Sequence, residues 1–468
     1  MNENNGKRAV EDVKSVYFAG AGGIGMSALI RYFLARGKRV AGYDRTPSAL
    51  TEKLISEGAA IHYEDDEACI AEEFRDRRTT LVVYTPAVQA SHKELTWFRT
   101  NGFEVLKRSQ ALGLITDASR GLCIAGTHGK TTTSSMTAHL LRQSEVDCNA
   151  FLGGILKNCD SNLMLSERSD LTVVEADEYD RSFHFLTPYM AVITSADPDH
   201  LDIYGTPQAY RESFEKFTSL IRPGGVLLMK KGIEVTPRLQ SGVRLYTYSA
   251  SDPAADFHAE QIRVGNGEVC FNFVSPGLCL EDVRLGVPVR TNVENGIAAM
   301  AMAGLNGVTA GEMRAAMRSF AGVQRRFDFR VKKANIVYID DYAHHPRELE
   351  SCILSVKELY RGRKVTGVFQ PHLYSRTRDF ADAFASALSL LDRLILLDIY
   401  PAREEPLPGV TSKLIFDKVT VRDKILCPKD ELINLLQEED PDVLLTLGAG
   451  DIDRFVEPVT ELLNKKYG

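Results

Sequence analysis

Two glycine-rich segments, each lying between a β-branched run and a helical pattern, constrain the fold of this chain more than any other feature. The first, "GAGGIG", covers residues 20–25 and follows "SVYFA"; the second, "GTHGKTTT", covers residues 126–133 and follows "GLCIA". Glycine at a strand–helix junction lets backbone N–H groups approach an anion at the start of a helix. The two junctions therefore predict an α/β fold with mainly parallel sheets.

The strand and helix patterns group into three blocks, as expected for 468 residues at about 150 residues per domain. We predict a Rossmann-like N-terminal domain at 1–115, a P-loop-type central ATPase domain at 116–322 and a Rossmann-like C-terminal domain at 323–468. The turn-rich stretch from Tyr246 to Gly277 is predicted to be an antiparallel addition to the central domain.

Composition excludes several classes of protein. The net charge of −7 argues against a nucleic-acid surface, which usually carries a basic excess. No apolar run is long enough to span a bilayer and the first residues form no secretory signal, so we expect no membrane insertion and a cytoplasmic location. The eight cysteines form no C-x-x-C pair, which predicts free thiols in a reducing compartment.

The first glycine segment fits the pattern G-x-G-x-x-G, with Gly20, Gly22 and Gly25 in place and Gly23 between them. Asp44 ends the next predicted strand, where an acid that binds a ribose is expected. A dinucleotide or a nucleotide diphosphate is the predicted ligand, and a simple tight turn is the alternative. NAD and a UDP-sugar both present a pyrophosphate and a ribose, so the pattern does not separate them.

The second segment departs from the usual phosphate loop, G-x-x-x-x-G-K-[ST], because Ile124 stands where the first glycine belongs. Gly126 and Gly129 still free the backbone to direct N–H groups at phosphate oxygens. Lys130 can reach the β- and γ-phosphates, and the Thr131 hydroxyl can ligate Mg²⁺. We predict triphosphate binding here, the alternative being a chance match.

Acidic residues and a histidine follow two other predicted strands. Glu175 directly follows the apolar run "LTVV", which suits a carboxylate that holds Mg²⁺ bridged to ATP. The acids that follow it, at 177, 178 and 180, fit a solvated loop equally well. His200 comes after Asp197 and Asp199 at another strand end, which favours a ligand over a purely structural histidine.

The third block gathers histidines, acids and arginines at two strand ends, "DDYAHHP" and "QPHLYSRTRD". Arg376 and Arg378 can clamp a carboxylate or a phosphate. Arg325 and Arg326 lie at the boundary between the second and third blocks. Surface salt bridges are the alternative for each arginine.

Taken in order along the chain, these motifs resemble those of the Mur ligase family of peptidoglycan synthesis. The resemblance rests on "GAGGIGMSAL", "GTHGKTTT", "EADEYD", "DHLDIYG", "TNVENGIAA", "GVQRRF", "DDYAHHP", "PHLYSRT" and "YPAREEPLPG". It implies a first domain that binds a UDP-sugar, a second that binds ATP and a third that helps to seat an amino acid. The implied reaction is the ATP-dependent joining of L-alanine to the carboxylate of UDP-N-acetylmuramate through an acyl phosphate, with Mg²⁺ required.

The resemblance also implies a role for individual residues. The implied ATP site comprises Gly126, Thr127, His128, Gly129, Lys130, Thr131, Thr132, Asn292, Asn295, Arg326 and Asp341. The implied Mg²⁺ ligands are Thr131 and Glu175, with His200 serving a second ion. The implied substrate contacts are Gly20, Gly22, Gly23, Gly25, Asp44, Tyr342, His344, His372 and Arg376. Lys130, Glu175, His200, His344 and Arg376 are the implied catalytic residues.

Some positions depart from the family pattern, and some alternatives stay open. Leu373, Ser195, Thr291 and Ala343 replace a common arginine, asparagine, histidine and glycine, respectively.

A recycling ligase that attaches a whole peptide to the same sugar is the close alternative. An NAD-dependent oxidoreductase and a non-catalytic nucleotide-binding module are the alternatives from other classes. A monomer or a homodimer is expected.

Overall fold

The computed structural model describes residues 13–89, 91–265, 267–402 and 404–468. Three sheets of five, ten and six strands, each with accompanying helices, confirm the predicted α/β class. Within the described residues, no helix has the length and apolarity needed to cross a membrane. All eight cysteines are free thiols, as predicted.

The chain forms two compact units. The first holds the described residues up to Glu260 together with Phe273–Leu280 and Glu294–Ser319. The second holds Gln261–Asn272, Glu281–Val293 and Phe320–Gly468.

The N-terminal part of the first unit is a five-stranded parallel sheet in the order β3-β2-β1-β4-β5. Its elements are β1 (Ser15–Ala19), α1 (Ile24–Ala35), β2 (Arg39–Tyr43), α2 (Ala49–Ser56), β3 (Ala60–His62), β4 (Thr80–Tyr84), α3 (Lys93–Thr100), β5 (Glu104–Lys107) and α4 (Arg108–Asp117). Strand order reverses beside β1, and the first glycine segment joins β1 to α1 at that point. In open α/β sheets this position is where ligands bind.

A carboxyl group is buried beneath this sheet. The side chain of Glu94 is fully buried and accepts a hydrogen bond of 2.7 Å from the Tyr17 hydroxyl, while His62 Nε2 lies 3.2 Å from its other oxygen. Burial raises the pKa of Glu94 to about 7. The folded protein therefore holds a proton here that the unfolded chain releases at lower pH.

This proton gives a stability prediction with a definite sign. Because the folded-state pKa is raised, the contribution of Glu94 to stability is fully present below pH 4.5 and is lost as the pH rises through about 7. The loss is up to roughly 3 kcal/mol at 1.36 kcal/mol per pKa unit. We expect Glu94→Gln to unfold at a higher temperature than wild type at pH 8, with a smaller difference at pH 5. The exposed Glu52→Gln is the control, and a difference independent of pH would contradict the prediction.

The middle sheet has ten strands in the order β15-β14-β13-β12-β11-β10-β6-β9-β7-β8. Its elements are β6 (Arg120–Ala125), α5 (Lys130–Arg142), β7 (Asn149–Leu156), β8 (Ser161–Met164), β9 (Leu171–Ala176), β10 (Met190–Ile193), α6 (Leu201–Tyr204), α7 (Pro207–Thr218), β11 (Val226–Lys230), β12 (Arg244–Ser249), β13 (Phe257–Gly265), β14 (Glu268–Ser275), β15 (Leu278–Arg284), α8 (Thr291–Leu305) and α9 (Ala310–Ser319). β6 lies centrally, between β9 and β10, and is parallel to both. The second glycine segment joins β6 to α5.

The predicted antiparallel addition is wrong for its first strand. β12 is parallel to β11 and to β13. The seven residues between β12 and β13 return the chain to the side of β12, where Phe257 pairs with Tyr248, so the two strands run the same way. β13, β14 and β15 follow one another through two-residue connections, which only antiparallel neighbours allow.

The second unit contains a six-stranded sheet in the order β16-β17-β21-β18-β19-β20. Its elements are β16 (Asp328–Lys332), β17 (Val337–Asp341), α10 (Pro346–Leu359), β18 (Val365–Phe369), α11 (Tyr374–Asp379), α12 (Ala381–Leu388), β19 (Arg393–Leu396), α13 (Lys413–Phe416), β20 (Lys424–Leu426), α14 (Leu432–Glu438), β21 (Val443–Leu447) and α15 (Val456–Tyr467). All pairs are parallel except β16 with β17. The sequence did not predict β16, which adds an antiparallel edge to the Rossmann-like arrangement.

Candidate functional site

The second glycine segment forms a tight loop whose glycines are required by its geometry. Gly126 has φ +140°, and a Cβ there would lie 2.0 Å from Thr194 Oγ1. Gly129 has φ +81°, and a Cβ there would lie 2.7 Å from Asn295 Oδ1. Both glycines of the predicted phosphate loop are therefore fixed by close contacts as well as by backbone conformation.

We expect Gly126→Ala to destabilise the protein and to weaken ATP binding. Strain at positive φ and overpacking against Thr194 together cost roughly 2–5 kcal/mol. The control is Gly37→Ala, since Gly37 also has positive φ, at +69°, but nothing lies within 4 Å of its added Cβ. Thermal unfolding and binding of a nucleotide analogue measure both effects. Equal midpoints for the two variants would contradict the role of the Thr194 contact.

Thr127 and His128 join the loop to the segment that follows β10 and to α7. Thr127 Oγ1 donates to the Asp197 carbonyl at 2.8 Å and lies 2.8 Å from the Tyr210 hydroxyl. The exposed His128 donates its backbone N–H to Ser195 Oγ at 2.8 Å. Ser195, which departs from the family pattern, thus takes part in shaping the loop. Thr132 is half-buried in the first turn of α5.

Lys130 begins α5, and its ammonium group lies inside the loop. Its Nζ donates to the Gly126 carbonyl at 2.6 Å and to Glu178 Oε2 at 2.7 Å. Burial acts to lower the pKa of Lys130, but the charges of Glu178 and Glu175 outweigh it and raise that pKa. Lys130 therefore carries its full positive charge at neutral pH.

Glu175 and Thr131 are adjacent, as the sequence predicts. Thr131 Oγ1 donates to Glu175 Oε1 at 3.1 Å. Gly153 makes room for this carboxylate, since a Cβ at Gly153 would lie 2.2 Å from Glu175 Oε2. No group of three or more His, Cys, Asp or Glu side chains converges on a metal position within the described residues. One carboxylate and one hydroxyl fit Mg²⁺, which takes few protein oxygens and completes its shell with phosphate and water.

His200 lies at the start of the short helix α6, in the left-handed conformation with φ +52°. Its Nε2 is 3.8 Å from Asp199 Oδ2, and its ring meets that of Tyr179 edge-on at 5.1 Å. One-third of the side chain is exposed. His200 therefore follows closely after Asp197, whose carbonyl accepts the hydrogen bond from Thr127 of the phosphate loop.

The two asparagines lie at the start of α8. Asn295 Oδ1 accepts a hydrogen bond from Thr133 Oγ1 at 3.2 Å, so this residue contacts α5 directly. Asn292 is buried, and its Nδ2 donates to the Val287 carbonyl at 3.3 Å. Thr291, another departure from the family pattern, is exposed at the first position of the helix.

The first glycine segment lies against Asp44, Thr85 and Arg108. Gly22 N–H donates to Asp44 Oδ2 at 2.6 Å, so the predicted ribose-binding acid holds the loop itself. Gly20 has φ +89°, and a Cβ there would lie 2.3 Å from the Thr85 side chain. A Cβ at Gly25 would lie 2.7 Å from Arg108 Nη1.

A cavity of about 300 Å³ lies between the first glycine segment and the middle sheet. Gly23, Gly25, Thr85, Arg108 and Glu175 are among the residues that line it. The cavity therefore joins a predicted pyrophosphate position to a predicted Mg²⁺ ligand within one compact unit.

In the second unit, Asp341 and the residues after it form a hydrogen-bonded turn at the end of β17. Asp341 accepts backbone N–H groups from Phe327 at 2.7 Å and Ala343 at 2.8 Å. Burial raises the pKa of Asp341 to about 6, against the nearby charge of Arg326. The Arg326 guanidinium lies 5.4 Å from the centre of the Tyr342 ring. Ala343, which departs from the family glycine, is buried in this turn.

The rings of His344 and His372 meet edge to face, with their centres 6.2 Å apart. His344 Nδ1 contacts the Tyr342 carbonyl at 3.0 Å and lies 3.5 Å from the Glu348 carboxylate. Burial, with the charge of Arg376 next, lowers the pKa of His372 to about 4. His372 Nδ1 is buried and makes no hydrogen bond to any described residue. This imidazole is neutral and has an open ring nitrogen.

Arg376 lies half-buried on α11 near both histidines, whose pKa values its charge lowers. Arg378, predicted as a second clamp, has a side chain that is 55% exposed and pairs with Asp379 on the surface. Leu373 has φ +71°, an unusual conformation for a residue with a branched side chain. Its N–H donates to the Tyr400 carbonyl at 2.9 Å.

Several residues at these sites were not singled out from the sequence. Glu178, for which the sequence left a solvated loop equally possible, is 2% exposed and paired with Lys130. Arg108 and Gly153 lie in segments whose motifs carried no chemical signal. Glu404 accepts hydrogen bonds from the Ser375 N–H, at 2.9 Å, and from its hydroxyl. In the sequence, Glu404 belongs to the motif "YPAREEPLPG", but that motif assigned it no role.

The fold and the two glycine loops define a nucleotide-dependent enzyme of known family: the chain belongs to the Mur ligase family. Residues 15–120 match the Mur ligase family catalytic domain, 124–303 the Mur ligase middle domain and 325–450 the Mur ligase glutamate ligase domain.

Individual relatives are similar over nearly the whole chain. UDP-N-acetylmuramate–L-alanine ligase of Parabacteroides distasonis is 68% identical, covering 98% of this chain and 99% of that protein. The enzyme of the same name from Phocaeicola vulgatus is 62% identical, covering 98% and 100%. The crystal structure of UDP-N-acetylmuramate–alanine ligase from Thermotoga maritima superposes with a TM-score of 0.82 at 27% identity, covering 97% of this chain and 99% of that one.

Proposed function

We infer that this protein is an ATP-dependent amide ligase that joins L-alanine to the carboxylate of UDP-N-acetylmuramate in peptidoglycan precursor synthesis. The observation that carries the inference is the cavity that links Gly23 and Gly25 to Glu175, because it allows one substrate to extend from the first glycine loop to the carboxylate that accepts a hydrogen bond from Thr131. The 62–68% identity to two enzymes of that name supports L-alanine, rather than a whole peptide, as the group that is joined. NAD chemistry would leave the second loop without a purpose.

The chemistry requires the carboxylate oxygen to become a leaving group. We propose that a carboxylate oxygen of the sugar attacks the γ-phosphorus of ATP, so that the bond to the β-phosphate oxygen breaks and ADP leaves. The alanine amine then attacks the carbonyl carbon of the acyl phosphate. The C–O bond breaks, inorganic phosphate leaves with the electron pair, and the amine loses a proton.

The second loop supplies the positive charge that this step needs. Two anions, the carboxylate and the γ-phosphate, must meet, and Lys130 is the cation of the loop that stands at their expected meeting point. We propose that Thr131 and Glu175 hold Mg²⁺, which would neutralise phosphate charge, with His200 as the candidate ligand of a second ion. Gly126, Thr127, His128, Gly129 and Thr132 would surround the phosphates, and Asn292 and Asn295 the adenine.

The second unit is proposed to seat the amino acid and to complete the ATP site. Arg376 is a half-buried cation without a strong acidic partner in the described structure, which suits a carboxylate ligand. His372 offers a neutral ring nitrogen to an amine donor; His344 lies beside it, and Tyr342 packs against His344. Arg326 and Asp341 would act on ATP. His200 and His344 are the candidates for removing the amine proton. A cytoplasmic location and a monomeric or homodimeric state belong to the same proposal.

Phosphate release measured with one component omitted at a time tests the proposal. We expect full turnover only when ATP, Mg²⁺, UDP-N-acetylmuramate and L-alanine are all present. Competition between L-alanine and a tripeptide distinguishes the amino-acid ligase from the recycling ligase. ATP hydrolysis that is indifferent to the sugar would rule the proposal out, and binding of a nicotinamide dinucleotide by calorimetry would favour the oxidoreductase.

A further inference from the structure

The acidic segment after β9, residues 177–180, is held by basic residues from two directions. On the side of the phosphate loop, Lys130 Nζ pairs with Glu178 at 2.7 Å. On the side of the N-terminal sheet, Lys107 Nζ pairs with Asp180 at 2.6 Å, and Arg108 Nη2 lies 3.4 Å from Asp177. Lys107 and Arg108 are consecutive residues at the junction of β5 and α4. The segment therefore connects the two parts of the first unit that carry the two glycine loops.

Glu178 differs from its acidic neighbours in burial. Its side chain is 2% exposed, whereas those of Asp177 and Asp180 are 37% and 32% exposed. Its carboxylate sits against the ammonium group of Lys130, the cation that a triphosphate would meet. Opposite charges at this distance largely cancel the field that either presents to a third group. In this arrangement Lys130 offers a phosphate little net charge.

The backbone of the segment is strained and depends on these contacts. Asp180 has φ +50° and Arg181 has φ +56°, a left-handed conformation that costs about 1 kcal/mol or more per non-glycine residue. Such conformations persist only where surrounding contacts hold them. The holding contacts include the Lys107–Asp180 and Arg108–Asp177 pairs and a 2.5 Å hydrogen bond from the Tyr204 hydroxyl to the Glu178 carbonyl. Weakening the pairs with Lys107 and Arg108 would therefore let the segment relax.

Arg108 is placed to respond to a ligand at the first glycine loop. Its guanidinium packs against Gly25, where an added Cβ would lie 2.7 Å from Nη1, and it lines the cavity that extends to Glu175. Its pair with Asp177 is long and partly exposed, so a partner with shorter contacts can replace Asp177. A diphosphate in the cavity would offer Arg108 shorter, charge-assisted hydrogen bonds than Asp177 does. Arg108 would then leave Asp177.

We propose, on the basis of the function proposed above, that Glu178 is a positioning residue for Lys130, and that Arg108 and Lys107 couple it to the occupancy of the first glycine loop. Binding of the sugar nucleotide draws Arg108 away from Asp177, the segment relaxes, and Glu178 releases Lys130 to the phosphates of ATP. The coupling is reciprocal, so ATP also strengthens the binding of the sugar nucleotide.

Calorimetry on the full-length wild-type protein tests the coupling. Binding of a non-hydrolysable ATP analogue with Mg²⁺ is measured with and without saturating UDP-N-acetylmuramate. We expect the sugar nucleotide to tighten analogue binding by about fivefold or more, the lower range of typical allosteric coupling. Asp177→Asn and Asp180→Asn should each tighten analogue binding in the absence of the sugar and reduce the coupling towards onefold. Turnover in these variants should show a lower KM for ATP with kcat little changed.

The matched control is Asp160→Asn. Asp160 pairs with Lys53 at 2.8 Å, a pair that also joins the N-terminal sheet to the middle part, but it is exposed and lies outside the segment. The Asp160→Asn substitution should leave the coupling unchanged. Glu178→Gln should abolish the coupling. If the Glu178→Gln protein does not fold, the coupling measured in Asp177→Asn and Asp180→Asn decides the test. Tight binding of both ligands without coupling would overturn this inference alone, whereas failure of the wild type to bind UDP-N-acetylmuramate would overturn the proposed function together with it.

Discussion

Replacing Lys130 with alanine is expected to lower kcat by about 10³-fold or more, because one positive charge that faces the developing phosphate charge is lost. The ammonium group is fixed by the Gly126 carbonyl at 2.6 Å and by Glu178 at 2.7 Å, and the raised pKa of Lys130 keeps it protonated at neutral pH. Steady-state phosphate release with all three substrates measures the effect. KM for the sugar nucleotide should change far less than kcat.

Loss of Lys130 also leaves the buried Glu178 carboxylate without its cation, which by itself destabilises proteins by about 3–5 kcal/mol. The double variant Lys130→Met with Glu178→Gln removes both charges and separates the two effects. If the activity loss comes from chemistry, the double variant folds but remains inactive. Recovery of turnover in the double variant would assign the loss to misfolding. Lys53→Ala, at an exposed lysine of the same unit, should retain wild-type turnover.

Much of the fold could be predicted from the sequence because its central strands are continuous apolar runs that end in glycine or polar residues. β1, β6, β9, β10, β17, β18 and β21 were all recognised in this way, and they position both glycine loops. β16 was missed because "DFRVK", at the edge of the sheet, alternates charged and apolar residues and so contains no apolar run. β8 was missed because its four residues carry too little pattern. The direction of β12 was wrong because pairing direction depends on the path of the chain, which local pattern does not encode.

At the site, the adjacency of Thr131 and Glu175 could be predicted from the sequence. Glu175 lies near the end of β9, the neighbour of β6, and Thr131 follows the loop that leaves β6. The burial of Glu178 could not be predicted, because a carboxylate is buried only when tertiary structure brings it a cation. The same holds for Arg108, whose significance comes from its contact with Gly25, more than 80 residues before it in the sequence.

Glu175→Gln should give the second large loss of activity, about 10²–10³-fold in kcat, together with a higher Mg²⁺ concentration for half-maximal turnover. Glutamine keeps the size of the side chain in the space left by Gly153, so the fold should be retained. It removes the negative charge that makes this position a ligand for a hard cation beside the Thr131 hydroxyl. Titration of turnover with Mg²⁺ at saturating substrates measures both changes.

The shift in Mg²⁺ requirement distinguishes a metal ligand from a residue that merely packs against the loop. A packing role predicts a lower kcat with an unchanged Mg²⁺ midpoint, and that result would contradict the assignment of Glu175. Glu145→Gln is the control, since the Glu145 side chain is 94% exposed and its removal should change neither quantity. Thr131→Val offers an independent check, because it removes the hydroxyl 3.1 Å from Glu175 while conserving the shape of the side chain. It should shift the Mg²⁺ midpoint in the same direction as Glu175→Gln. The shift should be smaller, because a neutral ligand binds the ion less strongly than a carboxylate.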